Sequence, residues 1–300
     1  MSTRKNANLH GLMAAVPTPF TADGSAVDEA AVGTQVERWV AAGLHGIVPT
    51  GTTGEFTNLT TDEYRQIVKA YVDAAAGRLK VIIGVGSVST PGALEQAKFA
   101  EEAGADAIMV VPPFYDPLSF DELKAFLADV AAAVDLQIVY YNVPGATGLR
   151  LETSQLAELG SIDGVDYLKD TSGDMVGQVE LLTVHADKIT AFNGWDTLTF
   201  CSMASGAKGA VWGVASIVPE KAVELWNTIA VAKDLDKARE LWGPLWKLCD
   251  FLEAGNYVAG IKAALEIIGQ PVGQPRKPIL PVDDARRAEL TEILKELGAA

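Results

Sequence analysis

The chain has 300 residues, 49% of them hydrophobic, and no apolar run long enough to span a bilayer, so it reads as a globular chain burying one large core or two modest ones. Its formal net charge of -15 is spread along the sequence instead of gathered in a tail, which argues against nucleic acid or a membrane as partner. Only two cysteines occur, Cys201 and Cys249, far apart and with no CxxC or nearby histidine, so no disulfide framework or zinc site is expected and a cytoplasmic location fits.

The first ten residues lack the apolar core of a signal peptide and read as a poorly ordered tail. Over 11–216, short β-branched or apolar runs alternate with longer amphipathic, alanine-rich segments, the signature of βα units with parallel strands. The pattern predicts eight strands, over 11–16, 46–49, 80–85, 105–111, 136–142, 165–169, 188–193 and 209–214. Helices are predicted between them, among others over 27–42, 61–76, 91–103 and 119–133. Thr61 before Asp62 and Glu63, Thr90 before Pro91, and Ser119 with Glu122 three residues on are the expected helix starts. Gly43, Gly104, Gly160 and Gly206 follow helical stretches, where a left-handed residue ends a helix at low cost.

Eight βα units close into a (β/α)8 TIM barrel, here placed over 1–218. A doubly wound nucleotide-binding sheet is set aside, because the Gly84 to Ser89 stretch lacks the third glycine of a dinucleotide turn and Gly51-Thr-Thr-Gly-Glu lacks a P-loop ending. Beyond Ser216 the strand pattern stops. Helices are predicted over 219–232, 235–254, 257–268 and 283–297, with a proline-rich connector at 271–281 before the last. This C-terminal helical appendage, 219–300, is expected to belong to the same compact unit and to pack on the barrel wall through Trp226, Trp242, Leu245, Trp246 and Leu252, a face that could also support subunit contacts.

In such a barrel the chemistry sits at the C-terminal ends of the strands, and unusual polar residues fall there. The sixth strand delivers Lys169 into a turn. A buried amine loses part of the hydration that favours its charged form, so its pKa falls from about 10.4 towards neutrality, where it attacks a ketone. Lys169 is therefore read as a Schiff-base lysine, although taken alone a lysine ending a strand is more often a snorkelling side chain. Gly51, Thr52 and Thr53 follow the second strand, where open amides and two hydroxyls suit a carboxylate; an ordinary helix entry fits the same residues. Tyr115 and Tyr141, after the fourth strand and on the fifth, offer hydroxyls that can carry protons on and off a carbinolamine, or else pack at the rim. Gly194 and Asp196 end the seventh strand and Val211 and Trp212 lie on the eighth; Asp196 suits substrate hydroxyls and Trp212 a pocket wall. His10, His45 and His185 show no metal-ligand spacing, and neither a metal nor a cofactor is expected.

Gly51-Thr-Thr-Gly-Glu55, Tyr141-Asn-Val-Pro144 with Thr147-Gly148, and Lys169-Asp-Thr-Ser172 occur in this order on the expected strands. The chain, over about 11–281, resembles the dihydrodipicolinate synthase and N-acetylneuraminate lyase family of class I pyruvate aldolases. The resemblance implies that Lys169 forms an imine with a 2-keto acid and that Thr52 and Thr53 hold its carboxylate. It also implies that Tyr141 relays protons with Thr52 and with Tyr115, which in many members reaches a neighbouring subunit's site, and that the assembly is a homotetramer built as a pair of dimers. Dihydrodipicolinate synthases place an arginine where this chain has Ala146, and neuraminate lyases have an acidic residue where Thr197 stands and a small one where Trp212 aligns. The run Pro144-Gly-Ala-Thr-Gly148 resembles 2-keto-3-deoxy sugar-acid aldolases and dehydratases more closely. The leading expectation is thus a cofactor-free lyase acting on a 2-keto-3-deoxy sugar acid or a similar 2-keto acid, by aldol cleavage to pyruvate or by dehydration. A dihydrodipicolinate synthase condensing pyruvate with aspartate semialdehyde, and a non-catalytic 2-keto acid-binding protein on an aldolase fold, are the alternatives.

Overall fold

The computed structural model describes Arg4 and residues 6–300. Its first half runs β1 (Gly11–Ala15), α1 (Glu29–Ala42), β2 (Gly46–Val48), α2 (Thr61–Ala75), β3 (Lys80–Gly86), α3 (Thr90–Ala103), β4 (Ala107–Val111) and α4 (Phe120–Ala133). Then come β5 (Gln137–Asn142), α5 (Pro144–Thr147), α6 (Thr153–Glu158), β6 (Val165–Asp170), α7 (Met175–Thr183), β7 (Thr190–Asn193), α8 (Thr199–Ala204) and β8 (Gly209–Trp212). Each strand pairs in parallel with the next, and β8 returns to β1 with Val211 opposite Met13, so the sheet closes into the expected barrel.

Side chains on a strand alternate between two faces, and here the alternation sorts two cores. Met13, Ile82, Met109, Val139, Phe192 and Val211 fill the barrel interior. Leu12, Ile47, Ile83, Val110, Leu168 and Trp212 face outward under the helices and join a second, larger cluster. The same rule turns Tyr141 inward and Tyr140 outward.

The helix starts lie where local chemistry can satisfy the free amides of a first turn. Ser119 caps α4 in a capping box with Glu122, as expected. For α2 and α3 the cap is one residue earlier than the sequence indicated: Thr60 pairs reciprocally with Glu63, and Ser89 accepts from the Gly92 amide. Gly43, Gly104 and Gly206 adopt the left-handed conformation, at φ of 81, 93 and 97°. Gly160 does not; it lies in a 3-10 turn, Leu159–Ser161, where a Cβ would overlap the Lys188 carbonyl.

The N-terminal segment departs from the expected loose tail. Arg4 donates to the carbonyls of Val134 (2.6 Å) and Ala131 (2.5 Å), and the Leu9 amide donates to the Tyr167 hydroxyl at 3.1 Å. Ala7 and Leu9 are buried with the interior cluster and close the N-terminal end of the barrel. For residues 1–3 and 5 the expectation lies outside the described residues.

After β8 come α9 (Val214–Ile217), α10 (Pro219–Trp226) with a π turn at Asn227–Ala232, α11 (Leu235–Glu253), α12 (Tyr257–Ile267) and α13 (Asp284–Glu296). Leu245, Leu248, Leu252, Leu265 and Leu290 share the outer cluster with the strands' outward faces. Trp246 is not part of this packing and stays 43% exposed. Among the described residues no helix is long and apolar enough to cross a membrane.

Candidate active site

The barrel's alternation brings the two reactive candidates together. Tyr141 on β5 stands in register with Lys169 on β6, and both lie on the inner face, so the Lys169 Nζ sits 4.1 Å from the Tyr141 ring centre. Burial pushes the Tyr141 phenol up, but the adjacent Lys169 ammonium and hydrogen bonds with Thr52, Lys169 and Thr171 outweigh it and hold the phenol below its ordinary value. A hydroxyl so poised exchanges a proton more readily near neutral pH.

These groups open into a cavity of about 260 Å³ at the C-terminal ends of the strands. Thr52 and Thr53 form one side of it. Their loop is bounded by two non-glycine residues in the left-handed conformation, Thr50 and Glu55, at φ of 55 and 54°. The loop folds back through the Glu55 amide onto the Thr52 carbonyl at 3.0 Å, while the Thr52 and Thr53 amides form no hydrogen bond among the described residues. Two unpaired amides and two hydroxyls beside an amine make a place for a carboxylate.

Asp196 lies on the opposite side, buried and lining the cavity. Its carboxyl is pushed up to about 7, first by burial; a 2.6 Å hydrogen bond from Tyr257 lowers it, and repulsion from Glu253 raises it again. Glu253 is itself fixed by Thr197, whose amide (3.1 Å) and hydroxyl (2.8 Å) both donate to it. Lys169 is the one Lys or Arg side chain on the cavity wall among the described residues, beside two carboxyl groups, Asp196 and Glu253.

Of the sequence-derived candidates, Lys169, Tyr141, Thr52, Thr53, Gly194, Asp196 and Val211 line this cavity. Gly194 does so by leaving room: a Cβ there would come within 2.5 Å of the Lys169 Cε, so a side chain would displace the amine. Three candidates do not line it. Trp212 points outward, buried against Trp242 on α11 with ring centres 6.1 Å apart, because its neighbour Val211 takes the inward position of β8. The reading of Trp212 as a pocket wall is therefore corrected. Gly51 sits in the turn, where its carbonyl accepts from the Phe56 amide at 3.4 Å, and contributes nothing to the wall. Tyr115 is 84% exposed and off the cavity of its own chain.

Residues missed in the sequence divide by whether a signal existed. Thr171 is two residues beyond Lys169, so strand alternation already places it on the same face, and Trp195 lies inside the Asn193 to Asp196 stretch. Glu253 and Tyr257 had no local signal. They come from the end of α11 and the start of α12, and Tyr257 reaches the site only because position 213 is glycine, whose Cβ would overlap the Tyr257 hydroxyl. The C-terminal helices thus do more than cover the barrel wall; they build part of the cavity. Among the described residues no group of three or more His, Cys, Asp or Glu side chains stands together as a metal cage.

A lysine and a tyrosine side by side within a parallel eight-stranded barrel define a lyase of the class I aldolase type. The chain belongs to the dihydrodipicolinate synthetase family, whose model matches residues 8–297. It is 34% identical over 289 residues to a 4-hydroxy-tetrahydrodipicolinate synthase of Syntrophobacter fumaroxidans, covering 96% of this chain and 98% of the relative. It is 37% identical over 290 residues to an uncharacterized DapA-like lyase of Halobacterium salinarum, covering 97% of this chain and 94% of the relative. Among solved structures it is similar to a chloride-inhibited dihydrodipicolinate synthase of Acinetobacter baumannii complexed with pyruvate, with a TM-score of 0.93, 31% identity and coverage of 98% and 100%.

Proposed function

We propose that this lyase binds a pyruvate-type 2-keto acid as an imine on Lys169 and uses the derived enamine to make or break a carbon-carbon bond. The observation that carries the reading is the register pairing of Lys169 with Tyr141 inside the barrel. The Lys169 amine adds to the ketone carbon, and the carbinolamine sheds water once its oxygen is protonated by Tyr141, a role supported by a phenol held below its ordinary value. Thr52 and Thr53 hold the carboxylate. Loss of a proton from the adjacent carbon gives the enamine, which attacks an aldehyde, and hydrolysis of the imine then frees Lys169. The imine is the electron sink, so the reaction calls for no cofactor.

The names of the relatives favour 4-hydroxy-tetrahydrodipicolinate synthase, the condensation of pyruvate with aspartate semialdehyde, over the sugar-acid cleavage that the motifs led one to expect first. A specific observation supports the second reading. The residue at the position expected to carry an arginine is Ala146, exposed on α5, and the far side of the cavity presents Asp196 and Glu253 with no cation among the described residues except Lys169. Such a wall suits substrate hydroxyls better than a second carboxylate.

The test is incubation with pyruvate, borohydride reduction and peptide mapping. A pyruvyl adduct on Lys169, lost in Lys169→Arg together with turnover while the fold persists, supports the reading; a fully active Lys169→Arg enzyme refutes it. Assays with aspartate semialdehyde and with 2-keto-3-deoxy sugar acids then choose the partner. Tyr115, exposed and off its own cavity, fits a role in a neighbouring subunit of a tetramer; a fully active monomer in sedimentation and single-turnover assays removes that role.

A further inference from the structure

Glu55 and Lys262 form an ion pair that the chemistry above does not use. The Lys262 Nζ lies 2.7 Å from the Glu55 Oε1, and the two side chains are 1% and 0% exposed. Glu55 ends the loop that carries Thr52 and Thr53; Lys262 sits on α12, the helix whose first residue is Tyr257. Breaking such a pair by removing one partner leaves an uncompensated buried charge, so the pair holds its two elements in one arrangement.

The pair is the centre of a wider clamp on this loop. The other Glu55 oxygen accepts from the Arg276 amide at 2.8 Å, and the Arg276 guanidinium grips Glu63 with its two terminal nitrogens, at 2.8 and 2.6 Å. Lys262 also donates to the Gln274 carbonyl at 3.2 Å, and both cations rest against the Phe20 ring, at 4.2 and 4.0 Å. On the other side the Thr18 hydroxyl donates to the Gly54 carbonyl at 2.7 Å. Left-handed backbone at Thr50 and Glu55 is costly for residues that carry a Cβ and persists only where surroundings over-determine it. At Glu55 the clamp supplies that over-determination; at Thr50 the hydroxyl, donating to the Pro49 and Gly84 carbonyls at 2.7 and 2.9 Å, does so. None of Glu55, Lys262 or Arg276 lines the cavity.

We propose that Glu55 and Lys262 are positioning residues: their buried pair ties the loop after β2 to α12 and so aims Thr52 and Thr53 at the keto acid's carboxylate. The inference rests on the imine reading above. It also makes the C-terminal helices part of the machinery on two sides of the cavity, through Lys262 behind the carboxylate loop and through Tyr257 and Glu253 at the far wall.

The experiment measures borohydride-trapped pyruvyl adduct against pyruvate concentration in the full-length protein, in Glu55→Gln, in Lys262→Met and in the double variant. Each single change should raise the half-saturating pyruvate concentration by about 10-fold or more, the order expected when a positioned group shifts, while changing the saturated trapping rate less than about 3-fold. The double variant should be no worse than the weaker single, since both remove one interaction. Glu55→Gln is isosteric and carries the test should Lys262→Met fail to fold. A merely structural pair lowers the melting temperature and leaves half-saturation unmoved, and that outcome overturns the proposal. Absence of adduct in the unsubstituted protein instead overturns the imine reading, and this inference with it.

Discussion

Replacing Asp196 by asparagine tests whether a carboxyl buried at the cavity wall is held neutral by its surroundings. The group stands at about 7 against an ordinary 3.8, so between these values the folded protein holds a proton that the unfolded chain has released. Stability therefore falls as pH rises through this window, since it follows the difference in bound protons between unfolded and folded chains. At about 1.36 kcal/mol per pKa unit the full effect is about 4 kcal/mol, present below pH 4 and largely lost by pH 7. An asparagine at this position cannot titrate, and it keeps an oxygen for the Tyr257 hydroxyl that now donates to the Asp196 carboxyl at 2.6 Å. Urea unfolding of both proteins at pH 5 and pH 8, at equal concentration, isolates the term. Relative to Asp196→Asn, the unsubstituted protein should lose about 3 kcal/mol between these two conditions. A difference that stays constant with pH would show that Asp196 is ionised throughout, and the account of burial outweighing the Tyr257 bond would be wrong.

Tyr141→Phe keeps the ring beside Lys169 but removes the hydroxyl, and turnover should drop by roughly 10²- to 10⁴-fold, the usual size of an acid-base contribution; unchanged steady-state kinetics would take Tyr141 out of the proton relay. Glu253→Gln removes one negative charge from the far wall, so kcat/KM for a substrate ending in a second carboxylate should rise about 10-fold relative to a neutral polyol substrate. Equal effects on both substrates would place Glu253 outside substrate selection. Leu9→Ala empties a position only 4% exposed at the closed end of the barrel and should cost about 2–5 kcal/mol in chemical denaturation, whereas the loose tail expected from sequence would show almost none.

The barrel was legible because its signals are local. A run such as Ala107 to Val111 between glycine- and proline-marked breaks states a strand by itself, and eight in a row leave few other architectures. Lys169 and Tyr141 were found because strand ends collect chemistry in this fold, and alternation within β5 and β6 then puts both on one face. The caps of α2 and α3 were misplaced by one residue because consecutive Thr60-Thr61 and Ser89-Thr90 offer two hydroxyls each, and the backbone conformation decides which is used.

Trp212 shows the limit of strand-end reasoning, for one step of register separates Val211 in the cavity from a tryptophan buried outside it, and only the closed sheet fixes that step. The sequence by itself determined the fold class and put forward the lysine, the tyrosine and the threonine loop as candidates, since each is marked by a short run of neighbouring residues. Tertiary structure alone decided that Leu9 plugs the barrel and that Glu253 and Tyr257 complete the cavity. It also decided that Lys262 meets Glu55, because these contacts join residues far apart in sequence whose periodicity says only that a helix has a buried face.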